Sequence, residues 1–335
     1  MLSMEVIAMN IKESLLNTLA AANGDYISGA ALAESLGVSR NAVWKAVKSL
    51  EAEGYTIESV TSKGYRLAES NNRLSEKLIA AHLKTTALGR ELQVLDEVDS
   101  TNIAAKKLAA NGAPHGTAVV ADRQTMGRGR LGRTFVSPSG TGIYLSVIVR
   151  PEFRMELVPM ITTAASVAVA EAVEKLCGMN TQIKWVNDVY LDGKKICGIL
   201  TEASLGLEMK SIDYAVIGIG VNVRSIHKEF GEELSNIATS IYDETGIAVD
   251  RNILCAEILN ALESYIVSLP ERRFLPEYRR RELLTGNEIT ASVSGQQLSG
   301  RAVGIDDNAN LIVNFPDGTV KHLSSGEASL CRIKK

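Results

Sequence analysis

With 335 residues, 45% of them hydrophobic, the chain is long enough for two or three domains with cores of their own. Its 36 Lys and Arg against 39 Asp and Glu leave a net charge of −3. That excludes a protein that coats nucleic acid over its whole surface, while leaving room for one local basic element.

The first residues, MLSMEVIAMNIKESLL, carry Glu5 where a signal peptide has basic residues, and the longest uncharged helical run, 157 to 170, is too short to span a bilayer. Four cysteines, Cys177, Cys197, Cys255 and Cys331, stand singly without a C-x-x-C pair. This argues against structural zinc, a redox motif and a secreted disulfide framework. The expectation is a soluble cytoplasmic protein with no membrane partner.

Residues 11 to 69 read as short helical segments followed by a strand-like pair. Ser28 is a good N-cap, Gly37 a helix stop and Ser39 a second N-cap, which makes two helices joined by a tight turn. In the second helix Val43, Ala46, Val47 and Leu50 recur at core spacing, leaving Arg40, Asn41, Trp44, Lys45 and Lys48 on the other face. TIESV, the turn TSKG and YRLAE then form a hairpin with Lys63 near its tip and Arg66 on the return. Helix, turn, helix and hairpin make a winged helix-turn-helix. Its basic, amide and hydroxyl groups, from Ser39 to Lys48 with Lys63 and Arg66, suit a major groove and its phosphates. A protein-docking module is the alternative. ESNNRL, 69 to 74, is a polar break, so the first domain is drawn as 1–72.

The middle of the chain alternates strands such as GTAVVAD, GIYLSVIV, ICGILTEA and AVIGIGVNV with longer helices at about 101–111, 157–177 and 252–268. Within it, GRGRLGR (127–133) fits G-x-G-x-x-G. The following RTFVSPSGTGIYLSVIV opens no helix, however, so no pyrophosphate meets a helix N-terminus there. The glycines instead serve a turning loop in which Arg128, Arg130 and Arg133 would become ordered when an anion arrives, each giving charge-assisted hydrogen bonds. KWVNDVYLDGKKICGILTEA places Lys184, Asn187 and Asp188 just before one strand and Lys195 ahead of the next. DSTN (99–102) precedes a helix that Ser100 or Thr101 can cap. From about 285 the tail reads as short strands between Gly and Asp-Asn turns, either a structural cap or the source of Lys321 or Arg332 at a nucleotide.

DSTN, QTMGRGRLGR (124–133), KWVND (184–188), KKICGIL (194–200) and GIGVN (218–222), with the N-terminal winged helix and the small C-terminal β-domain, together resemble the family of bifunctional biotin protein ligases that also repress biotin synthesis. The resemblance covers nearly the whole chain. It implies an α+β multidomain protein: the winged helix over 1–72, a central mixed α/β domain like those of class II synthetases over 73–283, and an SH3-like β-barrel over 284–335. It further implies that biotin and ATP, with Mg2+, give biotinyl-5′-AMP, whose biotin passes to a lysine of a biotin carboxyl carrier protein. Lys184, Lys195, Arg130 and Asp188 would carry the chemistry, Asp188 either orienting the acceptor amine or bracing its turn. Ser100, Thr101, Asn102, Gln124, Arg128, Gly129, Arg130, Lys195 and Gly198 would surround biotin. Arg130, Arg133, Phe135, Lys184, Asn187, Asn222 and Lys321 would meet the nucleotide. Operator DNA of biotin genes and a homodimer formed with biotinyl-AMP are the further partners.

The sequence departs from the family's pattern at Phe135 (usually Trp), at Val186 (usually Pro), which loosens the turn holding Asn187 and Asp188, and at Cys331, where the terminal arginine would fall. A ligase with an inert winged helix, a ligand sensor without catalysis and a lipoate ligase are the competing readings.

Overall fold

The computed structural model describes residues 4–22, 24–52, 54–68, 72–150, 155–205, 212–226, 232–293 and 296–331. Arg332 lies outside them.

The first domain comprises α1 (Met4–Ala21), α2 (Gly29–Ser35), α3 (Arg40–Ala52), β1 (Ile57–Val60) and β2 (Gly64–Leu67). The Ser28 hydroxyl accepts from the Ala31 amide at 3.1 Å and that of Ser39 from Ala42 at 3.2 Å, so both expected caps are formed. Between the two helices Gly37 adopts φ +64°, a left-handed conformation that glycine takes without steric cost. Leu15, Leu16 and Leu19 of α1 pack on Leu32, Val43, Val47 and Leu50. The first helix is thus an 18-residue element and not one of the short segments expected. Its apolar side completes a core that α2 and α3 cannot close alone.

The central domain begins with α4 (Glu76–His82) and continues through β3 (Leu92–Val98), α5 (Thr101–Ala110), β4 (Ala118–Gln124), β5 (Gly142–Val149), α6 (Val158–Cys177), β6 (Gln182–Lys184), β7 (Asp188–Leu191), β8 (Lys194–Leu205), β9 (Ile212–Asn222), α7 (Glu232–Ser235), α8 (Ile241–Thr245), α9 (Arg251–Val267) and α10 (Leu275–Arg281). The seven strands run in the order β3-β4-β5-β9-β8-β7-β6. Only β3 and β4 are parallel.

Strand alternation divides the sheet's two faces. Ile143, Leu145 and Val147 of β5 with Ile217, Ile219 and Val221 of β9 join the main core, shared with residues of α6 and α9. On the other face Ile148, Tyr214 and Val216 pack on Ala105 and Ala109 of α5. One helix covers only part of that face, and the uncovered part is where the cavity lies.

The tail forms β10 (Glu288–Val293), β11 (Gln296–Ile305), β12 (Leu311–Asn314), β13 (Val320–Leu323) and β14 (Ala328–Leu330), a five-stranded antiparallel sheet in the order β13-β12-β11-β10-β14. It is fastened to the central domain by Trp185 Nε1, which donates to the Ala309 carbonyl at 3.2 Å, and by Arg279 Nε, which donates to Ile305 at 2.9 Å.

Candidate active site

Residues of β9 and β8 make the floor of a cavity of about 460 Å³, with β5 paired along the far side of β9. The register pairs Ser146 with Gly218 and Gly218 with Leu200; two residues on, Tyr144 with Gly220 and Gly220 with Gly198; then Gly142 with Asn222. Gly218, Gly220 and Asn222 therefore point to one face, and two strand steps of about 6.7 Å each make a trough about 13 Å long. Both glycines are required by what lies over them. A Cβ on Gly218 would stand 2.2 Å from Asn102 Oδ1, and one on Gly220 2.6 Å from the Phe135 ring.

At the Gly218 end, α5 brings Ser100, Thr101 and Asn102 to the wall. Neither Ser100 nor Thr101 caps α5 with its side chain. The Gln124 carbonyl oxygen does so, accepting from the Thr101 amide at 2.9 Å and lying 3.1 Å from the Thr101 hydroxyl. Gln124 Nε2 in turn donates to Ser137 at 2.9 Å. Asn102 Nδ2 donates to Glu202 at 2.9 Å, and its Oδ1 lies 2.6 Å from the Ser146 hydroxyl. Lys106 lies 2.7 Å from the same Glu202 carboxylate. Glu202 escaped the sequence reading; its signal was a lone acid inside the apolar run ICGILTEA.

The arginine loop folds back on itself. Phe135 N donates to Gly127 O at 2.9 Å and Gly129 N to Arg133 O at 2.7 Å, with Leu131 at the tip, 75% exposed. As expected, no α-helix follows Gly132; the loop holds only a single 3-10 turn at Arg130–Gly132. Arg128, Gly129, Arg130 and Arg133 all line the cavity. Arg130 donates to Asn187 Oδ1 at 2.8 Å and to the Gly326 carbonyl at 3.0 Å, while Arg133 lies 2.7 Å from Glu327.

Lys184 closes β6 and Asp188 opens β7, so these residues belong to strands and do not merely precede one. A bulge in β8 re-aims the second lysine. Cys197 faces Val189 and Lys195 faces Tyr190, so Ile196 is the extra residue. Lys195 then reaches over Gly198, with Nζ 2.8 Å from Asp188 Oδ1. Lys184 does not line the cavity. Its amine donates to Ser329 at 3.2 Å, and burial pushes it below the ordinary lysine value, against the pull of Asp188. Beside Val186, Asn187 Nδ2 donates to the Ile199 carbonyl at 2.9 Å and Ile199 N to the Asn187 carbonyl at 3.0 Å, which ties the turn to β8.

Asn222 lines the far end, its Nδ2 donating to Thr239 O at 3.0 Å. Lys321 is not in the lining; its amine sits 5.4 Å over the Phe315 ring. The C-terminal domain reaches the cavity instead through Glu327.

Family models match in all three domains: "HTH domain" over 12–66, "Biotin/lipoate A/B protein ligase family" over 94–222 and "Biotin protein ligase C terminal domain" over 285–331. The bifunctional ligase/repressor BirA of Bacillus spizizenii is 38% identical over 96% of this chain and 98% of its own length. The chain belongs to the family of bifunctional biotin ligase/repressors. The Escherichia coli member is 32% identical over 94% of this chain and 96% of its own. A solved biotin protein ligase from Aquifex aeolicus, in complex with biotin and ATP, superposes with a TM-score of 0.61 at 32% identity, covering 72% of this chain and 99% of that one.

On the repressor side of this ligase/repressor, α3 turns Arg40, Asn41, Trp44 and Lys45 outward, Trp44 being 49% exposed. Ser39 is occupied as a cap, and Lys48 lies 2.6 Å from Glu51. Lys63 stands 5.5 Å over the Tyr26 ring. Arg66, expected at a phosphate, is engaged internally: the hairpin register sets it opposite Glu58, to which Nε donates at 2.9 Å, and its guanidinium lies 4.6 Å over Tyr26.

Proposed function

We propose that this chain activates biotin with ATP and transfers it to a lysine of a biotin carboxyl carrier protein, and that with biotinyl-AMP bound it is a homodimeric repressor at the operators of biotin genes in the cytoplasm. One observation carries the catalytic half: a single trough has neutral hydrogen-bonding groups at one end and converging cations beyond. Biotin's ring system would sit at the Gly218 end beside Asn102, among Ser100, Thr101, Gln124 and Arg128. Its carboxylate then points toward Lys195, and the adenosine toward Phe135 and Asn222.

In the first step a carboxylate oxygen attacks the α-phosphorus, an anhydride P–O bond forms, and pyrophosphate leaves with the electrons of the bond that breaks. Two anions approach one another here, so cations placed where charge accumulates lower the barrier. Lys195 is held for this by Asp188, and Arg130 by Asn187 and Gly326. In the second step a neutral lysine amine of the carrier attacks the acyl carbon, AMP departs, and the amine's proton passes to solvent. Among the described residues no cluster of three His, Cys, Asp or Glu is arranged to hold a metal; a magnesium ion would be carried by the ATP phosphates and would neutralise their charge. No described helix is long and apolar enough to cross a membrane.

Lys195→Gln should lower pyrophosphate release by about 10²-fold or more, since it removes a cation acting on developing charge, with urea unfolding little changed. Mass spectrometry of a carrier domain incubated with biotin and ATP reads the transfer. Near-normal pyrophosphate release in the variant would remove Lys195 from the reaction.

A further inference from the structure

The N-terminus of α9 holds the connection between the winged helix and the central domain. Asp250 caps the helix, accepting from the Asn252 amide at 2.7 Å. The next two residues turn to the linker. Arg251, 2% exposed, is the largest fully buried side chain among the described residues. Its Nε donates to Asn72 Oδ1 at 2.8 Å, Nη2 to the Asn72 carbonyl, and Nη1 to Asp122 at 2.7 Å and to the Gly142 carbonyl at 2.8 Å. Asn252 Nδ2 donates to the Arg73 carbonyl at 2.9 Å, and its Oδ1 accepts from Ser75 N at 2.9 Å.

The same Asn72 faces the arginine loop's return segment, its Nδ2 donating to the Gly140 carbonyl at 2.7 Å. From Gly140 back to the cavity the segment is anchored repeatedly. Asp122 accepts from Gly140 N at 3.2 Å and from the Ser139 hydroxyl; Tyr144 donates to Pro138 O at 2.9 Å; Gln124 N donates to Ser137 O at 3.0 Å. Phe135, at its other end, is part of the cavity wall. Phe135 and Gly140 are thus the two ends of one short segment tied to Asp122 and Gln124 of β4 and to Tyr144 of β5. Beside the linker lies a second cavity of about 290 Å³, bordered by Arg73, Asp96 and Asp122.

We propose that the Asn72 side chain is the link through which an occupied cavity sets the disposition of the winged helix, with Arg251 as the positioning residue that holds Asn72 in reach of Gly140. The proposal rests on the repressor reading above. By linkage, whatever factor the adenylate contributes to DNA affinity through this link, bound DNA contributes to adenylate affinity, about 5- to 150-fold for typical couplings.

The test compares full-length wild type with Asn72→Asp, which keeps the acceptor for Arg251 but removes the donor to Gly140, and with Asn72→Ala, which removes both without adding charge. Three quantities are read: turnover on a carrier domain, the release rate of labelled biotinyl-AMP, and affinity for promoter DNA of biotin-synthesis genes with and without biotinyl-AMP. Both variants should keep turnover within about twofold, lose at least about fivefold of the adenylate-dependent gain in DNA affinity, and release biotinyl-AMP faster. If wild type shows that gain and both variants keep it, the link is wrong and the repressor reading stands. If wild type binds DNA without regard to biotinyl-AMP, the repressor reading fails, and equal release rates in wild type and Asn72→Asp then overturn the link as well.

Discussion

Lys184 and Lys195 belong to one sequence motif and look equivalent on paper, yet a single extra residue in β8 separates their roles. The bulge at Ile196 places Lys195 over Gly198 in the cavity, while Lys184 sits behind Asp188 against the C-terminal domain. In the proposed mechanism Lys184, outside the lining, would act on the reaction at longer range, through its charge. Burial lowers the pH at which that charge is lost: below the depressed value the cation is present, above it the amine is neutral, so adenylate formation should fall as pH rises through that value, before an ordinary lysine would titrate. Lys184→Arg, which stays charged at every accessible pH, should carry the alkaline plateau of kcat/KM for pyrophosphate release to higher pH. A limb unmoved by the substitution would take Lys184 out of the electrostatics. Charge made the arginine loop and the lysines readable in the sequence, because clustered cations on one loop are hard to explain as core. The floor was not readable. GIGVN shows a strand, but nothing in it says which face Gly218, Gly220 and Asn222 present, and Gln124 as the cap of α5 is a contact between segments distant in the chain.

Among the elements, the long periodic helices and the apolar strands were legible, while α4, α8 and α10 were not, being too short for their pattern to stand out. The strand β3 also escaped, since as the sheet's edge it mixes acids into a half-exposed run. Leu275 and Tyr278 seat α10 in the main core, and charge adds a second anchor. Arg281 is buried, 2.6 Å from Glu174 of α6 and 2.5 Å from Glu277. Burial raises the Glu174 carboxyl, but hydrogen bonds from Arg281 and Thr181 outweigh it and hold it at about 2. A carboxylate depressed in the folded state stabilises the protein above its unfolded value of 4.5 and loses that contribution as pH falls from there toward 2. Glu174→Gln should therefore flatten the acid limb of the stability curve in that window. At neutral pH it should also cost about 3 kcal/mol, the lower end for breaking a buried pair, since Glu277 remains. Urea midpoints at pH 7 and pH 3 read both effects; an unchanged acid limb would place the α10 anchor elsewhere.

For the molecule as a whole, three domains and their order follow from composition shifts and turn chemistry, and the joints between them do not. The C-terminal sheet reaches the active site through Gly326 and Glu327, which hold Arg130 and Arg133, rather than through its lysine. At the other joint, Asn72 supplies both acceptors for two arms of a guanidinium sealed inside the central domain. That has a practical meaning for cutting the protein apart. A ligase fragment begun at residue 73, where sequence composition puts the border, discards those acceptors and leaves Arg251 with a buried, half-answered charge. A fragment begun at 72 carries its own plug, though both lack the winged helix. The longer fragment should melt several degrees higher than the shorter one, and equal melting temperatures would show that water serves Arg251 as well as Asn72 does. The same asymmetry bears on how a winged helix can be joined to such an enzyme, because Asn72 of the connector already answers a guanidinium buried in the central domain.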